Sequence, residues 1–314
     1  MRQHHVAVVQ AGTTLFDTPR TLERMAAHCE AVKREGAELV VFPEAYVGGY
    51  PKGLDFGARM GTRTPEGRED YLRYWRSAIE LDGPECRIIG GFAADLKANL
   101  VVGAIERDGA TLYCSVLFFG PDGSLLGRRR KLMPTATERL VWGQGDGSNL
   151  QVLDTPAGKV GAAICWENYM PLLRQSQYAQ GVEVWCAPTV DEREIWQSSM
   201  RHIAYEGRMF VLSACQYLTC ADAPQDYDAF QGLPPETELI KGGSIIVNPM
   251  GEIVAGPLRG REGVLAATID LDDVIRGRYD LDVAGHYSRP DVFALHVDTT
   301  PRAQVQQHEL AASS

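Results

Sequence analysis

No run of apolar residues in this chain approaches the roughly 20 that a membrane-spanning helix needs, so a membrane role is not expected. The N-terminus has no apolar signal segment either. Met1-Arg2-Gln3-His4-His5 runs straight into Val6-Ala7-Val8-Val9, which predicts a cytoplasmic protein. The seven cysteines are odd in number, irregularly spaced and without a CxxC pair, which argues for reduced thiols over a disulfide frame. The seven histidines show no HExxH or Cys/His ligand spacing, so no metal site is expected. Positive charge is scarce: 31 Lys and Arg against 41 Asp and Glu leave a net charge of −10, which repels nucleic acid. The one dense basic cluster, Arg128 to Lys131, is too short for a nucleic-acid stripe. Gly143-Gln144-Gly145-Asp146-Gly147 lacks the Lys-Ser/Thr of a phosphate loop and reads as a flexible loop. No Pro/Gly/Ser-rich linker divides the chain. Residues 1–298 read as one domain, and 299–314 as a polar, mobile tail.

What is present is an alternation of apolar strands and amphipathic helices, filling a core at 45% hydrophobic content. Val6 to Gln10 reads as a first strand. Thr18 with Pro19 predicts a helix start, and Leu22, Met25, Ala26, Cys29 and Val32 mark one helical face that ends at Gly36. Strands are predicted over Leu39 to Phe42, Leu100 to Ile105, Leu112 to Phe119, Glu183 to Ala187, Phe210 to Ala214, Ser244 to Val247, Glu252 to Val254 and Gly263 to Ile269. Helices are predicted near Glu69 to Glu80, Met170 to Gln180, Ile195 to Gly207 and Leu271 to Arg276. Asp108-Gly109 and Pro121-Asp122-Gly123 are turn signals, and Gln225 to Glu238 reads as a long surface loop. These patterns establish an α/β layered domain. By themselves they leave open whether it holds one doubly wound sheet or two.

Three segments carry chemistry. Val160-Gly161-Ala162-Ala163-Ile164 delivers Cys165 to a strand-to-helix turn, a setting in which backbone N–H groups can lower a thiol's pKa and bind an oxyanion. Leu39 to Phe42 leads through Pro43 to Glu44, and Arg128-Arg129-Arg130 ends at Lys131. A carboxylate near a thiol takes its proton, and a lysine near both holds negative charge on an attacked carbon–heteroatom group. The bland readings of the same residues are a small core cysteine, a strand-end cap and a member of a solvated charge run. His202, on a predicted helix, suits a cysteine-peptidase dyad in principle, though a helix-face histidine is more often structural.

Phe42-Pro43-Glu44-Ala45, Arg130-Lys131-Leu132-Met133-Pro134-Thr135 and Cys165-Trp166-Glu167-Asn168 together resemble the nitrilase superfamily, in order and in spacing. The resemblance covers nearly the whole chain, including Gly143 to Gly147, Leu212 to Gln216 and Gly285 to Asp291. The Trp166-Glu167 pair and Glu138-Arg139-Leu140-Val141-Trp142 are most similar to the nitrilase branch. The resemblance implies a four-layer α-β-β-α sandwich with Cys165 as nucleophile, Glu44 as general base and Lys131 as the anion-holding group. It also implies Glu138 as a pocket-lining carboxylate, with Trp142, Trp166 and Glu167 as walls or supports. The implied reaction hydrolyses a small organic nitrile to its carboxylic acid and ammonia through a covalent thioimidate, with no cofactor. The implied assembly is a homodimer or larger homo-oligomer, in that branch often a spiral. An amidase or carbamoylase of the same fold would use the same three residues, and a binding protein that kept the fold is the alternative of a different class.

Overall fold

The computed structural model describes residues 2–302, so the expected tail lies, beyond Arg302, outside the described residues. The first sheet is built from β1 (Gln3–Gln10), β2 (Leu39–Val41), β3 (Asn99–Asp108), β4 (Thr111–Phe119) and β5 (Leu125–Arg130). The second holds β6 (Leu153–Thr155), β7 (Gly158–Ala162), β8 (Val184–Cys186), β9 (Phe210–Ser213), β10 (Tyr217–Thr219), β11 (Glu238–Val247) and β12 (Ile253–Arg259). The chain then returns as β13 (Gly263–Asp270) to the first sheet, whose order is β13-β1-β2-β3-β4-β5. The second runs β10-β11-β9-β8-β7-β6, with β12 also paired to β11. Strands β1, β2 and β3 are parallel, as are β7, β8 and β9; the other pairings are antiparallel.

The side-chain alternation of these strands explains the layers. Val6, Val8, Leu39 and Val41 meet Val160, Ala162, Val184, Cys186 and Leu212 in one core between the sheets. The alternate residues Ala7, Val9, Val40 and Phe42 pack outward against α1 (Thr18–Glu35) and α3 (Pro84–Leu96), through Leu22, Met25, Val32 and Ile89. On the far side, Trp185, Val211, Ile245 and Val247 pack against α4 (Pro171–Tyr178) and α5 (Glu194–Gly207), through Leu173, Trp196 and Met200. Strands covered on both faces need apolar residues at every position, which is why they read as unbroken apolar runs. Each fully buried Val or Leu contributes about 1.5–3 kcal/mol. The result is the α-β-β-α sandwich, with α2 (Pro65–Ser77) set beside the inter-sheet core through Tyr74 and α6 (Asp272–Arg278) following β13.

Several local expectations change. The first helix is capped by Asp17, whose carboxylate accepts from the Arg20 N–H at 3.0 Å, while the Thr18 hydroxyl donates to the Ser77 carbonyl. Helix α2 starts at Pro65, capped by Thr64, four residues earlier than its apolar periodicity predicts. Helix α3 has no counterpart in the sequence reading, because Gly90-Gly91 lowers helix propensity in its middle. Strands β6 and β10 were also not anticipated, and β11 reaches back to Glu238. Gly143 to Gly147 is pinned: Gly143 N–H donates to the Leu112 carbonyl and Gly145 N–H to the Lys131 carbonyl, each at 2.8 Å.

Candidate active site

The C-terminal ends of β2, β5, β7, β8 and β9 deliver the polar groups of the site to the end of the inter-sheet core. Residues from both sheets meet there, on the strand edge where α/β sheets generally bind ligands. Glu44 follows β2, Lys131 follows β5, Cys165 follows β7, Thr189 follows β8 and Gln216 follows β9. The corner that carries Glu44 lies directly on β3. A side chain at Gly103 would sit 2.0 Å from the Pro43 carbonyl oxygen and 2.7 Å from the Glu44 Cα, so only glycine admits this approach. Ala45 and Cys165 both take left-handed backbone, at φ 49° and 51°, which turns the chain sharply beside each of these side chains. For a non-glycine residue this conformation costs roughly 1–3 kcal/mol.

Glu44, Lys131 and Cys165 converge, and all three are buried. Lys131 Nζ donates to Glu44 Oε1 at 2.7 Å and to Glu138 Oε2 at 2.8 Å. Glu138 in turn accepts from the Tyr50 hydroxyl at 3.0 Å and from the Thr135 N–H at 2.6 Å. Glu44 is fixed across the two sheets: the Val190 N–H donates to its Oε2 at 3.2 Å and the Gln216 side-chain amide to its backbone carbonyl at 2.7 Å. Its Oε1 also accepts from the buried Cys114 thiol at 3.7 Å, and Cys165 lies near enough that it and Glu44 shift one another's protonation. The Thr189 hydroxyl oxygen accepts from the Asp191 N–H at 2.9 Å, which orients its own proton toward Cys165 Sγ, 3.3 Å away. The carbonyl of Cys165 is held by the Asn168 side-chain amide at 2.8 Å.

Burial pushes the Cys165 thiol up, and the Glu44 charge adds to this against the opposing pull of Lys131 and Thr189. Burial here outweighs any lowering by the helix-start N–H groups, in keeping with the expected need for a general base. The resting sulfur is a thiol that needs a base. Burial also raises Glu44, with Lys131 opposing. For Lys131 burial favours the neutral amine, but Glu44 and its neighbours outweigh it and hold the ammonium well above its ordinary range. A raised Glu44 must lose its proton before it can act as a base, so kcat/KM should rise with pH on an acid limb set above the ordinary glutamate pKa of about 4.3. The raised Lys131 keeps its charge throughout that interval. An acid limb at or below the ordinary glutamate value in the pH profile of kcat/KM would remove Glu44 as the base.

A cavity of about 260 Å³ opens beside these groups, lined by Tyr50, Leu54, Phe56, Glu138, Val141 and Trp142 among others. Glu138 and Trp142 belong both to this wall and to the surroundings of Lys131, whose Nζ lies 5.4 Å from the Trp142 ring centre. The Trp142 indole N–H donates to the Tyr74 hydroxyl at 3.0 Å, which fixes the ring. Trp166 stands elsewhere, 43% exposed, with its indole N–H on Asp191 at 2.9 Å and the Arg193 guanidinium over its ring. Glu167 is buried on the opposite side, bonded to Arg129 and to the Leu132 and Ile164 N–H groups. His202 is exposed on α5 and pairs with Glu206 at 3.3 Å, which leaves the dyad reading without support. Tyr50, Thr189 and Gln216 were missed. Tyr50 had a signal in its place in the Gly-Gly-Tyr-Pro loop just after Glu44, and Gln216 in its place at the end of the Leu212 to Gln216 segment that the resemblance covers.

A model of the carbon-nitrogen hydrolase family matches residues 5–279. The chain belongs to that family. Within the carbon-nitrogen hydrolases it lies among the nitrilases. It is 53% identical to a nitrilase of Bradyrhizobium diazoefficiens, over 96% of this chain and 94% of the relative. To an aliphatic nitrilase of Sinorhizobium fredii it is 49% identical, over 97% and 99% of the two chains. A bifunctional nitrilase/nitrile hydratase of Lupinus angustifolius is 51% identical over 94% of this chain and 86% of its own. The fold is shared more widely. A CN-hydrolase superfamily protein of Xanthomonas campestris superposes with a TM-score of 0.70 at 17% identity, covering 90% of this chain and 97% of its own. The NitFhit protein of C. elegans superposes with a TM-score of 0.74 at 19% identity, covering 96% and 69%.

Proposed function

We propose that this carbon-nitrogen hydrolase is a nitrilase that converts a small organic nitrile to its carboxylic acid and ammonia through Cys165. The reading rests above all on one observation: a buried cysteine sulfur is brought to the same site as a buried carboxylate that holds an ammonium at 2.7 Å. Glu44 takes the Sγ proton as sulfur attacks the nitrile carbon. One of the C–N π bonds breaks, and the negative charge gathering on nitrogen is held by Lys131 until that nitrogen is protonated, giving a thioimidate. Glu44 then takes a proton from water, which adds to the same carbon. Ammonia leaves from the tetrahedral adduct after its nitrogen is protonated, and a thioester remains. A second water, deprotonated in the same way, releases the acid and restores the thiol. The small cavity with aromatic walls suits a small, uncharged substrate.

The adduct can also break at its C–S bond, which releases the amide. Protonation of the departing nitrogen favours ammonia loss, and the carboxylates of Glu44 and Glu138 around Lys131 favour that protonation. Acid should therefore dominate, with a minor amide fraction, and the matching amide should be a poor substrate. A nitrile panel with ammonia detection and chromatographic product analysis tests this. Fast amide hydrolysis without nitrile turnover would overturn the nitrilase reading in favour of an amidase of the same fold. We infer also that residues 1–298 form the catalytic unit and that it associates at least as a dimer. The resemblance and the exposed Tyr279, Tyr287 and Phe293 support this. Light scattering at micromolar concentration should read at least twice the chain mass, and a fully active monomer would refute it.

A further inference from the structure

Glu167 and Arg129 form an ion pair that is almost wholly buried, at 3.0 Å, between the two catalytic strand ends. Its partners are unusual in where they lie. Glu167 Oε1 accepts from the N–H of Leu132, the residue after Lys131, at 2.7 Å. Glu167 Oε2 accepts from the N–H of Ile164, the residue before Cys165, at 2.9 Å. Arg129, two residues before Lys131, donates to the carbonyl of Ala162, the last residue of β7. One carboxylate thus ties the backbone next to the ammonium to the backbone next to the thiol, and one guanidinium ties the strand that bears Lys131 to the strand that leads to Cys165.

We propose that Arg129 and Glu167 are positioning residues that set the distance between Lys131 and Cys165 and so govern both turnover and the split between acid and amide. Neither side chain touches the cavity or the reacting atoms. Their effect runs through the backbone of Leu132 and Ile164. A buried pair is not in itself a strong source of stability, since replacing both partners together is often neutral, whereas removing one leaves an unpaired charge. The two roles therefore separate in experiment. The inference rests on the nitrile reading above only for its product arm.

Glu167→Asp keeps the charge facing Arg129 but is one methylene shorter, so it cannot reach both N–H groups. A displacement of about 1 Å at a catalytic group lowers rate about a hundredfold. The expected result is a near-parental melting temperature, a kcat lower by roughly 10- to 100-fold, a KM changed less than about threefold, and a larger amide fraction from the same nitrile. The product ratio per turnover does not depend on how much of the protein is folded, so mere destabilisation cannot move it. If the aspartate variant folds poorly, the double variant Arg129→Met/Glu167→Gln decides: it removes both charges and should recover the melting temperature without recovering kcat or the ratio. Parental kcat and product ratio in Glu167→Asp, or their return in the double variant, would overturn the proposal. Should the parent enzyme prove to act on amides alone, kcat and KM on an amide still read the positioning role, so failure of the substrate reading is seen separately.

Discussion

Replacing Cys165 with alanine should abolish turnover in a protein that remains folded. The cysteine is 4% exposed, its neighbours are fixed by their own hydrogen bonds, and the substitution deletes only the sulfur. Its left-handed backbone is no less favourable for alanine. The carbonyl of residue 165 keeps its bond to Asn168, and the N–H of residue 165 keeps its bond to the Pro188 carbonyl. Thr189 loses its sulfur partner, a loss of about 1 kcal/mol. Turnover falls far more, since the covalent route disappears altogether. Losing a nucleophile of this kind typically lowers kcat by roughly 10⁴–10⁶-fold. Ammonia release and thermal melting measured on the same preparation check both halves, and ammonia release at the parental rate would end the covalent mechanism.

Lys131→Ala should be the most damaging change to the site as a whole, because it removes a charge that two carboxylates share. Glu44 and Glu138 would then face one another in a buried space with no cation between them. Breaking a buried pair by removing one partner costs about 3–5 kcal/mol, and losing an anion-holding donor costs about 10²–10³ in rate. The pH dependence has a definite sign. Without Lys131, Glu44 rises further, and a carboxyl whose folded pKa is raised favours the folded state at low pH and loses that contribution as pH climbs through the folded value. The stability gap between variant and parent should thus narrow in acid and widen toward neutrality, as read by denaturant melts across pH. Lys131→Arg should not rescue activity, since the planar guanidinium is larger than the fully buried space and does not surrender a proton. An arginine variant with most of its activity would show that residue 131 takes no part in the chemistry.

Glu44, Lys131 and Cys165 were legible in the sequence because each ends a short apolar strand inside a recognisable motif. The layer count was not legible from the strands alone. Strands such as Leu39–Val41 and Val184–Cys186 are apolar on both faces, and a doubly wound single sheet would demand the same pattern. Only the resemblance separated the two. The roles of Thr189 and Gln216 were not legible for a different reason, although Gln216 ends a segment that the resemblance covers. Gln216 bonds to the backbone of Glu44 across 172 positions of sequence and Thr189 reaches Cys165 across 24, through contacts that no local period encodes. The balance at the thiol was not legible either, because burial is a property of the finished fold and here outweighs the helix-start effect. Helix α3 is hidden by its central glycines, whereas Thr18 with Pro19 marks the start of α1 correctly and leaves only the cap, Asp17, unread.

The pairing of β1 with β13 has a consequence for how the chain comes into being. Val6 lies opposite Ala267, so β1 gains its edge partner only after every other strand of the described residues has been synthesised. Until then β1 can join β2 and the rest of its sheet, but it presents a bare edge of apolar residues to its surroundings. Such an edge invites pairing with other nascent chains. Any polypeptide cut short before Gly263 carries that open edge permanently, so termination ahead of β13 yields a sticky fragment and not merely an inactive one.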